Sequence, residues 1–269
     1  MAAYYNENDP FAAARLRELS RAGLIADGEV DERSIEDVDA NDVAGFRQCH
    51  WFAGIGGWSY ALRLAGWPDD KPVWTGSCPC QPFSRAGRGR GFDDPRHLWP
   101  EFHRLIRERR PPVVLGEQVA GPAGRTWWDA VSVDLEHAGY AVGAADLCAA
   151  GVGAPHIRQR LYWCAVAETR GLGDSDGDGC LQGTRHPTPV GYGHPVAATG
   201  GDGWHGATAG IWRDVDWICC MDGNWRPVKP GLVPLVDGTP GRTALLRAIG
   251  NAIVPQVAAE FIKTVMEVT

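Results

Sequence analysis

The chain has 269 residues, 44% of them hydrophobic, and a formal net charge of −7. That length and apolar content allow one substantial α/β core with a small appendage and no second large domain. The acidic balance excludes a protein that coats nucleic acid nonspecifically, because such binding is mostly phosphate neutralisation by Lys and Arg.

Charge is nevertheless unevenly spread. Acids crowd the first forty residues, whereas Arg85, Arg88 and Arg90, then Arg104, Arg107, Arg109 and Arg110, then Arg158 and Arg160 form basic groups. This asymmetry suits an enzyme with one basic cleft. The apolar runs are too short to cross a bilayer, and the opening Tyr4-Tyr5-Asn6-Glu7-Asn8-Asp9 lacks the regions of a signal peptide, so a cytoplasmic protein is expected. Eight scattered cysteines in a chain of this size read as reduced thiols rather than disulfides.

In chain order, Ala2 to Asn6 is predicted as a strand. Asp9-Pro10 then supplies an N-cap and a proline at the first helical position, opening a helix that Gly23 closes. Gly28 to Asp31, running on toward Val38, reads as a second strand with flanking loop. Gln48 to Phe52 is the next strand, Gly54 to Gly57 a turn, and Trp58 to Ala65 a helix stopped by Gly66 and Pro68. This is a nucleotide-type βα turn, yet the acidic residue normally found at the end of the following strand is missing.

After Pro72-Val73-Trp74 comes Gly76-Ser77-Cys78-Pro79-Cys80-Gln81-Pro82-Phe83-Ser84. Pro79 and Pro82 stiffen this loop, so Cys80 is presented rather than buried. The cations of the glycine-rich stretch Arg85 to Gly91 suit phosphates and lower a nearby thiol's pKa. A helix carrying Leu98, Phe102, Leu105 and Ile106 ends at Pro111-Pro112, followed by the strand Val113 to Leu115 with Gly116-Glu117 at its carboxyl end. A helix near Trp127 to His137, a strand near Val142 to Leu147 and a strand from Leu161 to Val166 follow. From Glu168 to about Gly210 the composition turns loop-like, then a hairpin joins Trp217-Ile218-Cys219-Cys220 to Trp225-Arg226-Pro227-Val228. The last helix starts near Pro255 with Val257, Phe261 and Val265 on one face.

Five of these stretches carry a resemblance. Phe52-Ala53-Gly54-Ile55-Gly56-Gly57, Pro79-Cys80-Gln81, Gly116-Glu117-Gln118-Val119, His156-Ile157-Arg158-Gln159-Arg160 and Gly250-Asn251-Ala252-Ile253-Val254-Pro255 stand in the order found in the DNA (cytosine-5) methyltransferases, which the chain resembles over roughly residues 50 to 262. The resemblance implies an α/β fold, a doubly wound and mostly parallel sheet of the class I S-adenosylmethionine-dependent type. It also implies methyl transfer from S-adenosyl-L-methionine to carbon 5 of cytosine in double-stranded DNA, with the target base flipped out, as in restriction-modification systems of prokaryotes and phages.

Carried over residue by residue, Cys80 would be the nucleophile, Glu117 the acid at ring nitrogen 3, and Arg158 and Arg160 the groups that position the nucleotide. Phe52, Gly54, Gly56 and Gly57 would lie against the cofactor, with Asn251 and Val254 closing its other end. Ser84, Arg85, Arg88 and Arg90 would meet DNA. Asn6-Glu7-Asn8-Asp9 and Val30-Asp31 resemble the family's second and third cofactor motifs, which ordinarily follow the glycine loop. A rearranged order, a circular permutation, is therefore expected, with Glu7 on the ribose and Asp31 on the adenine amine, and Glu7 beside Gly54 in space.

Two departures accompany this picture. Gln118 stands where the family has asparagine, a longer amide that must hold the Pro-Cys loop differently or fail to hold it. The region expected to read DNA, residues 168–235, is short beside the catalytic part, 1–167 with 236–269, so an accessory specificity partner is a further expectation. Cys78 and Cys80 lack a second pair, and no metal is expected. The same fold acting on RNA or with a modified sulfonium donor, and a non-catalytic DNA-binding relative, remain open.

Overall fold

The computed structural model describes residues 3–79, 98–154, 156–168, 216–219, 225–228 and 248–269. Its strands are β1 (Ala3–Asn6), β2 (Gly28–Asp31), β3 (Gln48–Trp51), β4 (Val73–Gly76), β5 (Val113–Val119), β6 (Tyr140–Cys148), β7 (Gln159–Ala167), β8 (Asp216–Cys219) and β9 (Trp225–Val228). Its helices are α1 (Pro10–Arg21), α2 (Gly57–Ala65), α3 (Trp99–Arg109), α4 (Pro122–His137) and α5 (Pro255–Val268). Seven strands form one sheet in the order β2-β1-β3-β4-β5-β7-β6, while β8 and β9 pair separately. From β2 to β5 every pairing is parallel, and β7 runs antiparallel to both neighbours. The mostly parallel, doubly wound arrangement matches the expectation. No helix among the described residues is long and apolar enough to cross a membrane.

Strand alternation sorts the core into two faces. Tyr4, Trp51, Trp74, Val114 and Trp163 face α3 and α4, a layer dominated by aromatic rings such as Trp99, Phe102 and Trp127. On the other face Val73, Leu115 and Tyr162 meet α2 and α5, and Tyr5 packs with Leu16 of α1. The Tyr5 hydroxyl is satisfied there, donating to the Ala26 carbonyl at 2.6 Å and bonding Ser59 of α2 at 2.9 Å. Both faces are therefore covered by helices, as a parallel sheet requires.

Local signals explain the element starts. Asp9 Oδ1 accepts from the Phe11 and Ala12 amides at 2.9 and 3.0 Å, capping α1 just ahead of Pro10. On α5, Val257, Phe261 and Val265 are all buried. Several boundaries differ from the sequence reading, β6 and β7 each starting two residues earlier. Residues Ile35–Asp37 form a single 3₁₀ turn beyond β2, and α4 begins at Pro122, five residues before Trp127. β5 runs on past Leu115 to Val119, because β7 continues to pair with it as far as Val119 opposite Arg160.

Gly116 lies opposite Trp163 in that pairing, and a Cβ there would stand 2.2 Å from the indole ring. Trp163 is fully buried between α3, α4 and the sheet, so it cannot give way. Gly116→Ala is expected to cost about 1–3 kcal/mol by overpacking, seen as a fall of several degrees in the thermal midpoint. An unchanged midpoint would mean that Trp163 repacks freely.

Candidate active site

β1 and β3 end side by side, with Asn6 opposite Trp51. The chain leaves β1 for the β2 edge and leaves β3 for β4 on the other side, which makes this a topological switch point where open α/β sheets bind ligands. The two exits are tied together. The Ala53 amide donates to the Asn6 carbonyl at 3.0 Å, and the Glu7 carboxylate accepts from Gly54 N at 2.7 Å and from Asp9 N at 2.9 Å. Glu7 and Gly54 are thus in direct contact although 47 residues apart in the chain. Two accepted bonds leave a carboxylate further lone pairs for a ligand.

The turn between β3 and α2 is left-handed at Phe52 (φ 52°), Gly54 (φ 54°) and Gly56 (φ 80°). Glycine adopts this freely, whereas Phe52 does so under strain, with its ring edge-on to Phe102 at 6.2 Å. At Gly57 a Cβ would come within 2.8 Å of Ile253, so the glycine lets the segment before α5 close against the start of α2.

On the other side of the crevice, β4 pairs with β5 only as far as Gly76 opposite Gly116. Glu117 and Gln118 therefore lie beyond the end of β4, where Ser77 and Cys78 meet them. Glu117 is 8% exposed and forms an ion pair through Oε1 with Arg160 Nε at 2.9 Å. Burial pushes its carboxyl above the usual carboxylate range, while the Arg160 and Arg158 guanidiniums and a hydrogen bond from Ser77 pull it back part of the way. Gln118 is buried on the opposite face of β5, and its Nε2 donates to the Cys78 carbonyl at 3.4 Å. The longer amide does reach the Pro-Cys segment.

A cavity of about 430 Å³ joins the two sides, lined among others by Glu7, Phe52, Gly54, Pro79, Glu117 and Asn251. Its size falls in the range of roughly 300–1,000 Å³ usual for small-molecule sites. Of the residues singled out from sequence, Gly57 and Arg160 also line it. Gly56 and Val254 stand behind the wall, Gly56 packed toward Ile25 and Leu16 and Val254 at the N-cap of α5. Asp31 does not line it; its carboxylate accepts from Tyr4 Oη at 2.7 Å and pairs with Arg33 at 2.7 Å, and Arg33 is the one that faces the cavity.

Arg158 differs from Arg160. Its guanidinium donates to the carbonyls of Gly250 (2.9 Å) and Ala252, bracing the turn that carries Asn251. Cys80, Ser84, Arg85, Arg88 and Arg90 lie outside the described residues, as does most of 168–235. Three residues that sequence reasoning left unassigned belong to the site: Ser77, Trp58 and Arg33. Ser77 had a signal, since a hydroxyl directly precedes the Cys78-Pro79-Cys80 stretch; Trp58 was one of twelve tryptophans with nothing to set it apart.

Residues 67–173 match the family model described as C-5 cytosine-specific DNA methylase. The chain is 27% identical over 170 residues to the type II methyltransferase M.HgiCII of Herpetosiphon aurantiacus, covering 48% of this chain and 39% of the relative. It is 39% identical over 98 residues to M1.ScrFI of Lactococcus lactis subsp. cremoris, covering 35% of this chain and 25% of the relative. The chain thus spans well under half the length of these methylases. Among solved structures, the Dnmt2 methyltransferase of S. pombe is similar at 17% identity with a TM-score of 0.39, over 63% of this chain and 51% of that one.

Proposed function

We propose that the chain transfers a methyl group from S-adenosyl-L-methionine to carbon 5 of cytosine in double-stranded DNA, with Cys80 adding transiently to carbon 6. The observation that carries this reading is the buried, arginine-paired Glu117, which lines one cavity with Pro79 and with the Glu7–Gly54 contact. The match of residues 67–173 to the cytosine methylase family model supports the reaction class.

Carbon 5 of cytosine is a poor nucleophile while the ring stays aromatic. Addition of the Cys80 thiolate to carbon 6 breaks that aromaticity, and a proton passes from Glu117 to nitrogen 3 as the new bond forms. Carbon 5 thereby becomes an enamine carbon that takes the methyl group. A base then removes the carbon 5 proton, the thiolate leaves as the ring is restored, and the nitrogen 3 proton returns to Glu117. Arg160 holds the Glu117 carboxyl throughout. When bound, S-adenosyl-L-methionine supplies the electrophilic methyl group.

The residues at the crevice fit that cofactor. Gly54 presents open space on the cavity side, where a Cβ would have no atom within 4 Å, and Glu7 keeps lone pairs for a hydroxyl. Glu7, Phe52, Gly54 and Asn251 would hold it, with Asp31 contributing through the Arg33 that it fixes. On this reading β1, α1 and β2 carry cofactor motifs encoded ahead of the glycine turn, a rearranged order. Ser84, Arg85, Arg88 and Arg90 would contact phosphates around a cytosine extruded from the helix, because stacking shields carbon 6 in the duplex. Residues 168–235, alone or with an accessory partner, would read the target. With Gln118 holding the Cys78 carbonyl, the amide substitution gives no ground for a different methyl donor.

Duplex DNA containing 5-fluorocytosine tests the reading, since fluorine cannot leave carbon 5 as a proton does. A denaturation-resistant protein–DNA complex that needs S-adenosyl-L-methionine is the expected result. Absence of any such complex in an enzyme preparation that binds both DNA and cofactor would overturn it.

The pH dependence has a definite sign. Glu117 acts in its protonated form, so the single-turnover rate falls as pH rises through its folded-state pKa, which lies above the ordinary glutamate value of 4.5. The thiolate fraction of Cys80 rises with pH, giving a bell-shaped profile. Glu117→Gln is expected to lower the rate by roughly 10²–10⁴-fold and to abolish the descending limb, as read from single-turnover rates across pH.

A further inference from the structure

Ser77 is the first residue beyond β4, and its hydroxyl stands between two fixed groups. The Trp58 indole Nε1–H donates to Ser77 Oγ at 3.0 Å. An indole N–H can only donate, and a serine hydroxyl has one proton and two lone pairs. With one lone pair taken by Trp58, the serine proton is left for Glu117, its neighbour across the sheet edge: Gly76 pairs with Gly116 one residue earlier on each strand, and Ser77 and Glu117 line the same cavity. Trp58 itself cannot swing away: it is 5% exposed and lies edge-on to Tyr162 at 6.1 Å. Tyr162 is the residue paired with Glu117 across β5 and β7, so all four side chains share one face of the sheet edge.

We propose that Ser77 is a positioning residue for Glu117, and that the Trp58 indole N–H sets the direction in which the serine hydroxyl donates. Arg160 grips Oε1 of the carboxyl from the β7 side, and Ser77 holds it from the β4 side. Two donors from opposite sides stop the carboxyl from rotating, which keeps its proton at one place in the cavity. Neither donor is supplied by the glycine turn or by the Arg158 brace.

The groups facing Glu117 define the expected titration. From β7 come Arg160 and the Tyr162 hydroxyl, which burial holds neutral, and from just before it Arg158; from the end of β4 comes Ser77; α2 presents only the neutral Trp58. The segment 248–253 contributes no charged side chain. A hydroxyl that donates to the ionised carboxylate favours that form, so its removal favours the protonated one.

The inference rests on the reading of Glu117 as the reaction's acid only for its effect on rate, so the test has two readouts. First, Glu117 is titrated in cofactor-free protein by NMR of ¹³C-labelled glutamate carboxyls, its signal assigned by its loss in Glu117→Gln. Ser77→Ala is expected to shift that titration up by about one pH unit, the equivalent of one hydrogen bond to a charged group. Trp58→Phe keeps the ring but not the donor and should shift it the same way by less, while Ser77→Thr keeps the hydroxyl and should titrate as the wild type does. Second, the descending limb of the methyl-transfer profile should move with the titration. A Ser77→Ala titration that coincides with the wild type, or a Ser77→Thr titration displaced as far as that of Ser77→Ala, would overturn the role of Ser77. A Trp58→Phe titration that coincides with the wild type would overturn the role of Trp58. If the wild type transfers no methyl group, the functional reading fails while the titration still decides the question for Ser77.

Discussion

Cys80→Ser is expected to lose methyl transfer by several orders of magnitude while binding S-adenosyl-L-methionine as the wild type does. A hydroxyl is barely ionised at neutral pH and is a far weaker nucleophile than a thiolate, so the adduct at carbon 6 would not form. Cys78, two residues earlier, cannot stand in. It is 5% exposed, and burial pushes its thiol far above neutral pH. Its carbonyl, not its sulfur, is the part engaged, by the Gln118 amide. Single-turnover rates with labelled cofactor and calorimetric cofactor affinity would separate the two effects. A residual rate within tenfold of the wild type would move the nucleophile elsewhere in the chain.

Glu7→Ala is expected to weaken cofactor binding by at least about a hundredfold. Its carboxylate is bonded by two backbone amides, Gly54 N and Asp9 N, and hydrogen bonds to a charged group are worth roughly 1.5–3 kcal/mol each. Truncation removes the brace that joins the β1 and β3 exits, together with the oxygens left over for a ribose. Glu7→Gln, with one acceptor oxygen instead of two, should fall in between. Isothermal titration with S-adenosyl-L-methionine provides the measurement. Equal affinity in the wild type and Glu7→Ala would mean that Glu7 braces a turn but takes no part in binding, and the proposed rearranged motif order would lose its basis. Deleting residues 1–45 would be a poorer test, since β1 pairs with β3 along four residues and buries Tyr5 completely, so its loss would break the sheet itself.

Much of the fold was legible because its signals are local. Asp9-Pro10 marks the start of α1, Gly66 ends α2 in a left-handed cap, and Val257, Phe261 and Val265 trace the buried stripe of α5. The start of α4 carried such a signal too, proline at the first helical position; its small residues, Ala123 and Gly124, concealed the pattern. Gly124 lies so close to the Val119 carbonyl that a Cβ would stand 1.8 Å from it, a constraint visible only in three dimensions. The full length of β5 was hidden for a related reason, because Gly116, Glu117 and Gln118 have poor strand propensity and are held by pairing with β7.

Within the site, the residues that carry recognisable chemistry were legible and those that orient them were not. Gly54 stood out in the glycine turn, and Glu7 because Asn6-Glu7-Asn8-Asp9 resembles a cofactor motif of the cytosine methyltransferases. Arg158 and Arg160 looked equivalent in sequence, two residues apart just ahead of the strand expected from Leu161, yet Arg160 grips Glu117 and Arg158 holds the carbonyls of Gly250 and Ala252. Their difference depends on how far each lies from the end of β5, a tertiary fact. The Asp31–Arg33 pair was likewise invisible as a pair, because Arg33 turns back on Asp31 only after the strand has ended.

The central claim is that this chain methylates carbon 5 of cytosine. Unmethylated genomic DNA incubated with the protein and S-adenosyl-L-methionine carrying a deuterated methyl group, then digested to nucleosides, gives the most direct answer by mass spectrometry. The account predicts a deuterated 5-methylcytidine deoxynucleoside that disappears with Cys80→Ser. A labelled methyl group on adenine or on the exocyclic nitrogen of cytosine, or no label on any base, would contradict it.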